Sequence, residues 1–356
     1  MGDFQLQDSQ DKGARFLLVA ASLVVVIAGL RAASSLILPF LFALFLAMIS
    51  FPLLHWLQSR KMPAALAVLI TLLAAVSAVV IVGLLASGSV RSFTDQAPQY
   101  QAHLQEIWNN ALNRLQARGI DVPQNLSTEL FNPGRVMDLI TGSLTALAAV
   151  LSNLVLVLLT IAFILMEAAG FPAKLQAAFG EGRSLERFAR CRRQVQRYLG
   201  VKTLVSVVTG VSISLALIIL RVDFPLTWGL LAFLLNYVPT LGSLIAAVPP
   251  VLLALVQYGF GTALVVALVF LAINMLLGSF VEPYLLGRQL GLSALVVFLS
   301  LVFWGWIWGP AGMLLSVPLT MLVKIMLENT EDLRWVAVLL EPSPGRPIAP
   351  LRPTGE

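Results

Sequence analysis

The most constraining feature of this chain is a run of 58 residues, Phe224 to Val281, that contains no Asp, Glu, Lys, Arg or His. A second charge-free run covers 35 residues, Gln289 to Val323. As one straight helix the first run would be about 87 Å long, nearly three times the hydrocarbon core of a bilayer. The run must therefore turn back on itself within the membrane. This pattern predicts a polytopic, all-α integral membrane protein.

The composition and the placement of charge support this class. Charged residues make up 12% of the chain, whereas soluble domains carry about 25%. The net charge of +5 does not indicate a nucleic-acid partner, because many of the basic residues lie together between two apolar runs, as in the cytoplasmic loops of membrane proteins. The single cysteine, Cys191, excludes an intramolecular disulfide framework. No motif for a cofactor or a metal is found.

The charge-free stretches and the loops between them predict an order of segments along the chain. It is a cytoplasmic N-terminus (1–15), three transmembrane helices (16–90), an external amphipathic helical segment (91–138), a transmembrane helix (139–166), a basic cytoplasmic helical segment (167–202), a transport core (203–327) and a cytoplasmic Pro-rich tail (328–356). Only Arg31 separates the first two apolar stretches, so we expect a tight helical hairpin there.

Loop charges predict the orientation. Segment 167–202 holds eight basic and three acidic residues, whereas segment 91–138 holds four and five. Because basic loops stay in the cytoplasm, the first segment is expected inside and the second outside. Lys12 and Arg15 before the first span, and Arg60 and Lys61 after the second, predict that the N-terminus and this turn are cytoplasmic. A hairpin in the second charge-free run then returns the C-terminus to the cytoplasm.

Both hydrophilic segments have helical periodicity. In 93–111 an apolar residue recurs at spacings of three and four, which predicts an amphipathic helix. It could lie on the membrane or on the transport core, or it could pack against a neighbouring subunit. In 183–199 a stripe of arginines beside apolar positions could contact anionic lipid headgroups or could be a solvated charged face.

Interruptions divide the two long runs: Gly261–Val281 is expected to be a full crossing, whereas the other pieces are too short to cross a bilayer. The stretches 226–237 and 243–257 are each shorter than the roughly 20 residues that a crossing helix needs. They predict a re-entrant hairpin from outside with its tip at Pro239 and Gly242. The second run predicts a hairpin from the cytoplasmic side with its tip at Gly309, Pro310 and Gly312. Together with about six full spans this makes seven or eight hydrophobic segments; two pairs of tilted full crossings remain the alternative.

The second half of the chain contains several distinctive motifs. They are Asn236-Tyr237-Val238-Pro239-x-x-Gly242, Asn274, Glu282-Pro283, Gly287-Arg288-Gln289-Leu290-Gly291-Leu292-Ser293, Phe303-Trp304-Gly305, Gly309-Pro310-Ala311-Gly312-Met313 and, further upstream, Tyr198-x-x-x-Lys202. Together they resemble the autoinducer-2 exporter family, formerly called PerM-type permeases. The resemblance covers roughly residues 15–327. It implies an oligomeric transporter of the bacterial inner membrane that exports autoinducer-2. Some members have been assigned as sodium/proton antiporters.

The candidate pathway residues are the polar exceptions in the apolar runs. Glu282 could be a proton or cation site or a gate that contacts Arg288; it could also be an interfacial residue before a helix-breaking proline. Asn236 and Asn274 could bind a hydroxylated ligand or hydrogen-bond across helices, and Tyr237 belongs to the same motif as Asn236. Glu167 and Lys324, at the ends of spans, are expected to be interfacial anchors.

Three function classes follow, with different supports. A secondary transporter for a small polar solute or signalling molecule fits the broken helices; an ion-coupled antiporter would use Glu282 as its carrier carboxylate. An assembly scaffold would use the amphipathic segment 93–111.

Trp304, Trp306 and Trp308 could form an interfacial belt or stack on a sugar-like substrate. An enzyme is not expected, because the spans carry no paired Asp and no HExxH motif, and no phosphate loop is found. His55 and His103 are predicted on opposite sides of the membrane and cannot share a metal.

Overall fold

A computed structural model describes residues 18, 21–22, 24–117, 133–149, 157–167, 174, 183–239, 241–286, 291–328 and 334–341. Within these residues all regular structure is helical. Six of the described helices are long and apolar enough to cross a membrane: Ser34–Ser59, Ala64–Arg114, Arg193–Ile219, Leu241–Tyr258, Phe260–Leu285 and Ala294–Glu328. The polytopic all-α class is therefore confirmed.

The helices are numbered here in chain order. They are α1 (24–32), α2 (Ser34–Ser59), α3 (Ala64–Gln116), α4 (Pro133–Ala149), α5 (Val157–Glu167), α6 (Arg183–Ile219), α7 (Pro225–Leu235), α8 (Leu241–Tyr258), α9 (Phe260–Asn274), a π-helical segment (Met275–Val281), α10 (Glu282–Leu286), α11 (Ala294–Glu328) and α12 (Arg334–Leu339).

The tight hairpin expected at Arg31 is wrong. Only Ala33, with φ −86° and ψ 11°, separates α1 from α2. Backbone bonds from Ala33 N to Gly29 O and from Ile37 N to Ala33 O, both 2.9 Å, continue the i→i−4 pattern on either side. A pair of antiparallel helices needs a loop of about two to five residues, so the chain bends here without reversing. A single charged residue within an apolar stretch therefore does not indicate a turn by itself.

Two helices run through predicted segment boundaries. Helix α3 continues from the third span through 93–111, and α6 joins the basic segment to the span that starts at Thr203. The predicted arginine stripe lies partly outside the residues whose side chains are described; Arg193 and Arg197 within it are exposed. Residues 91–116 and 183–202 thus continue membrane helices.

The C-terminal half of α3 packs on α7 and α8. Phe93, Tyr100 and Leu104 are buried in one cluster with Trp228 of α7 and Leu253 of α8. These apolar side chains of the segment 93–111 therefore pack against other helices of the same chain. Of the two placements open for this segment, the contacts agree with packing on the core.

We expect Tyr100→Phe to loosen the C-terminal half of α3. The Tyr100 hydroxyl donates to Asp223 Oδ2 at 2.7 Å, and a hydrogen bond to a charged group contributes about 1.5–3 kcal/mol. The rate of backbone hydrogen exchange in residues 93–111 should rise, and the unfolding temperature of the protein should fall. The matched control is Tyr258→Phe, whose exposed hydroxyl donates to the neutral carbonyl of Arg221 at 2.8 Å. Equal effects of the two variants would contradict the role of Asp223.

Helices α7 and α8 form the first hairpin, at the predicted position. At its base the Gln257 amide nitrogen donates to the Asp223 carboxylate. At its tip a turn at residues 236–239 brings Gly242 against the carbonyl of Leu235, which a Cβ on Gly242 would meet at 1.8 Å. The predicted turn at Gly259 follows, with φ 84°, and α9 returns alongside α8.

Helix α11 is doubled back at Gly309, where φ is 63° and ψ −146°. The Trp304 indole donates to Thr320 Oγ1 at 3.0 Å, although a straight helix would place these residues about 24 Å apart. This fold-back forms the second hairpin at the predicted tip. The depth of either tip in a bilayer stays a prediction.

The base of the second hairpin corrects one prediction. Lys324, expected to be an interfacial anchor, is buried and donates to Gly291 O at 2.8 Å and to Glu341 Oε1 at 3.0 Å. The amide of Ser293 also donates to Leu340 O at 3.0 Å. The segment that carries α12 is thereby fixed to both arms of the hairpin, so Lys324 is a structural clamp. Glu167, the other expected interfacial anchor, is exposed and pairs with Lys174.

Candidate transport site

Helix α6 presents a polar face inside the apolar bundle. Lys202, Thr203 and Ser206 lie within one turn of each other, and helical geometry puts positions three and four apart on the same side. Each side chain on this face has a partner from another element. We call this set the polar seam; it consists of Lys202, Thr203, Ser206, Glu282, Tyr237 and Asn236.

An ion pair closes one end of the polar seam. Lys202 Nζ lies 2.8 Å from both carboxylate oxygens of Glu282, and the two side chains are only 6% and 17% exposed. Removing one member of such a buried pair leaves an unpaired charge, at a cost of about 3–5 kcal/mol. The expected contact of Glu282 with Arg288 is not tested, because Arg288 lies outside the described residues.

Two hydrogen bonds tie the tip of the first hairpin to α6. The Tyr237 hydroxyl donates to Thr203 Oγ1 at 2.8 Å, and the Asn236 amide donates to Ser206 Oγ at 2.9 Å. Both Asn236 and Tyr237 are buried. The hairpin tip thus brings Asn236 and Tyr237 to the face of α6 that carries the ion pair.

Asn274 occupies a different environment. Its amide donates to the carbonyl of Phe270 in its own helix at 2.9 Å, so this bond does not cross between helices. The residue lies at the end of α9, directly before the π-helical segment that leads to Glu282. Asn274 is therefore on the helix that carries the carboxylate, one segment away from it.

Aromatic side chains surround the polar seam. Tyr237 makes edge contacts with Phe45 of α2 at 5.4 Å and with Phe233 of α7 at 5.7 Å between ring centroids. Tyr198, Trp304 and Trp308 belong to the same buried cluster as Tyr237. The second hairpin therefore packs on the side of the seam that faces α2.

The three tryptophans of the second hairpin have separate environments. Trp304 is buried with its indole bonded to Thr320, and Trp308 donates to the carbonyl of Leu30 at 3.0 Å. Trp306 is exposed, and the guanidinium of Arg31 lies 5.3 Å from its ring centroid. The predicted tip, with Gly309, Pro310 and Gly312, thus lies beside the bend between α1 and α2. Trp304 and Trp308 have their indole donors satisfied within the protein.

Sequence reasoning from the charge-free runs missed half of the polar seam. Lys202 was identified only as part of the motif that resembles the family, and neither Thr203 nor Ser206 was predicted to be a site residue. One signal was present: polar or small residues recur along one face of the span at 203, 206, 210 and 214. Such a stripe indicates close or polar contact with another helix. The partner could not be read from it.

We expect Asn236→Ala to destabilise the protein by about 1–2 kcal/mol, because a buried hydroxyl on Ser206 then loses its donor. The double variant Asn236→Ala, Ser206→Ala should recover part of that loss, since both polar partners are then absent. Thermal unfolding in detergent measures the cycle, with Ser87→Ala, an exposed serine bonded within its own helix, as the control. Strict additivity of the two changes would argue against a direct bond.

Comparisons with known proteins agree with the resemblance. The family model described as AI-2E family transporter matches residues 20–332. The AI-2 transport protein TqsA of Escherichia coli strain K12 is 41% identical over 331 residues, which cover 92% of this chain and 96% of that protein. A putative transport protein of Haemophilus influenzae is 38% identical, with 92% and 96% covered. Putative transport protein YhhT of Escherichia coli strain K12 is 36% identical, with 94% and 96% covered.

Proposed function

Because the chain belongs to the AI-2E transporter family, we propose that it is a non-enzymatic secondary transporter of the bacterial inner membrane. The solute is a small polar or signalling molecule of the autoinducer-2 type, and the direction is export. This substrate class follows from the similarity to TqsA, an AI-2 transport protein. The chemistry of the polar seam is compatible with it.

The observation that carries the proposal is a buried polar set at the start of the apolar part of α6, where each polar side chain is paired with a group from another element. Ionisable and amide groups at membrane depth are costly and are found where a solute or ion path needs them. The polar seam offers hydroxyl, amide and charged partners along one face of α6. A hydroxylated solute could replace the bonds from Tyr237 and Asn236, so that each protein group stays paired as the solute moves.

The test is flux from reconstituted vesicles. Proteoliposomes containing the purified chain are loaded with autoinducer-2, and its release is compared with protein-free vesicles and with vesicles that contain TqsA. We expect release above background that depends on the chain. Release equal to the protein-free vesicles, with TqsA active in parallel, would reject this substrate. A metabolite comparison of cells with and without the chain would then name other candidates.

A second candidate is a monovalent cation/proton antiporter. The favouring observation is the position of the Lys202 ammonium, which lies 2.8 Å from both oxygens of Glu282, where a sodium ion or a proton could compete for the carboxylate. A pH-sensitive dye inside vesicles would report proton movement after a sodium pulse. No pH response in vesicles that export autoinducer-2 would reject this candidate.

Orientation and assembly are part of the proposal. The turn with Arg60 and Lys61, the base of the second hairpin and the C-terminus are placed in the cytoplasm. Because the chain does not reverse at Arg31, α1 and α2 cross the membrane once, which places the start of α1 on the external face, opposite to the cytoplasmic N-terminus that Lys12 and Arg15 predict. We also propose a homo-oligomer within a lipid environment. Labelling of introduced cysteines from each side of right-side-out vesicles, and mass measurement in nanodiscs, would test these points.

A further inference from the structure

The helix that carries Glu282 changes its register directly before that residue. Residues Met275–Val281 form a π-helical segment, and the backbone N–H of Glu282 donates to the carbonyl of Leu277, five residues earlier. In an α-helix it would donate to Gly278, four residues earlier. One additional residue is thus held in this part of the helix.

Pro283 explains why the wider register forms here. Proline has no N–H, and in an α-helix its ring clashes with the carbonyl four residues earlier, which belongs to Ser279. The π register relieves that crowding. Helical π segments are rare and occur frequently at functional sites. This one is followed immediately by the buried carboxylate of the polar seam.

The two registers place Glu282 differently. If the π segment became α-helical while α9 stayed in place, residues after it would turn by about 100°, the angle of one residue in an α-helix. Glu282 would leave Lys202, and Val281 would take its direction. The segment has room for a change of register: none of its residues is buried, and the space around Gly278 is open.

We propose that Met275–Val281 is a register switch that carries Glu282 onto and off Lys202. In the π register the ion pair is formed and the polar seam is closed. In the α register the carboxylate is released and can accept a proton, a cation or a donor group of the solute. Gly278 and Pro283 are positioning residues that act through Glu282. The inference rests on the proposed transport function, because the switch has a role only if the seam opens.

Two variants push the switch in opposite directions. Deletion of Gly278 removes the additional residue, so the helix becomes regular while Asn274 and Glu282 keep their present faces; the pair is locked. Pro283→Ala removes the crowding that favours the π register, so the α register gains population and the pair opens. The matched control for the deletion is the double substitution Gly278→Ser, Ser279→Ala. It puts serine at position 278, as the deletion does, but keeps the residue count.

The distance between spin labels reports the register without relying on transport. Labels are placed at Leu204 and Tyr284, which are 56% and 87% exposed, in the full chain with Cys191→Ser. We expect two distance populations in the unmodified helix and in the control. The deletion should leave only the one that represents the locked pair, and Pro283→Ala should enrich the other. Flux should fall to the protein-free level in the deletion and persist in the control.

The outcomes separate the switch from the transport function. One distance population common to the unmodified helix and Pro283→Ala overturns the switch, even if vesicles transport solute. Flux in the deletion equal to the control overturns it as well. If no vesicle transports solute but the populations shift as expected, the transport function fails and the register switch stands. A deletion variant that does not elute as a folded protein leaves Pro283→Ala, which moves the populations or overturns the proposal by itself.

Discussion

Glu282→Gln is expected to reduce flux to the level of protein-free vesicles and to destabilise the protein by about 3–5 kcal/mol, since it leaves the Lys202 ammonium buried and unpaired. The ammonium is 2.8 Å from both oxygens and only 6% of its side chain is exposed. The measurements are thermal unfolding in detergent and release of loaded solute. Lys202→Met should destabilise by a similar amount, because it leaves the carboxylate without its cation.

The double variant Lys202→Met, Glu282→Met separates stability from transport. Replacing a buried ion pair by apolar residues of similar volume is often neutral or stabilising. We therefore expect the unfolding temperature to return towards that of the unmodified chain while flux stays lost. Glu167→Gln, which removes an exposed carboxylate paired with Lys174, is the control and should leave both unchanged. Normal flux in Glu282→Gln or in the double variant would remove Glu282 from the transport pathway.

The turns of the membrane region could be predicted from sequence because few residue types reverse a helix in an apolar environment. Glycine, proline and asparagine interrupt the long runs at 236–242, 259–261 and 309–312, and the structure reverses at each. The lengths were a weaker constraint: the stretch 243–257 was expected to fall short of a crossing, but the helix that contains it, Leu241–Tyr258, is long and apolar enough to cross a membrane. A turn is a local conformation, so a local sequence pattern is sufficient to predict it.

The partners of the polar residues could not be predicted in this way. Lys202 and Glu282 are 80 positions apart, and no periodicity in either segment encodes their contact. Arg31 illustrates the converse error. Its charge predicts a tight turn between two helices, but the backbone remains helical around it and its guanidinium stacks over the ring of Trp306. A long basic side chain can find such a partner without breaking its helix.

Gly312→Ala should disrupt the second hairpin. The two arms of α11 touch at their backbones beside the tip, where a Cβ on Gly312 would lie 2.0 Å from the carbonyl oxygen of Trp304. Backbone cannot move aside as a flexible side chain can, so the arms must separate. That shift weakens the bond between the Trp304 indole and Thr320, 3.0 Å long. We expect a loss of about 1–3 kcal/mol, the range for overpacked interiors, and a marked loss of flux.

Gly242→Ala offers an independent test of the same geometry, because its Cβ would lie 1.8 Å from the Leu235 carbonyl oxygen at the tip of the first hairpin. Gly200→Ala is the matched control: it lies inside α6 with nothing within 4 Å of its Cβ, and alanine favours the helix by about 0.5–1 kcal/mol. The unfolding temperature should therefore fall in both tip variants and should stay unchanged or rise in the control. Since the first tip also carries Asn236 and Tyr237, Gly242→Ala should displace them from α6 and reduce flux. If Gly312→Ala unfolded at the temperature of Gly200→Ala, the contact between the arms at the second tip would be refuted.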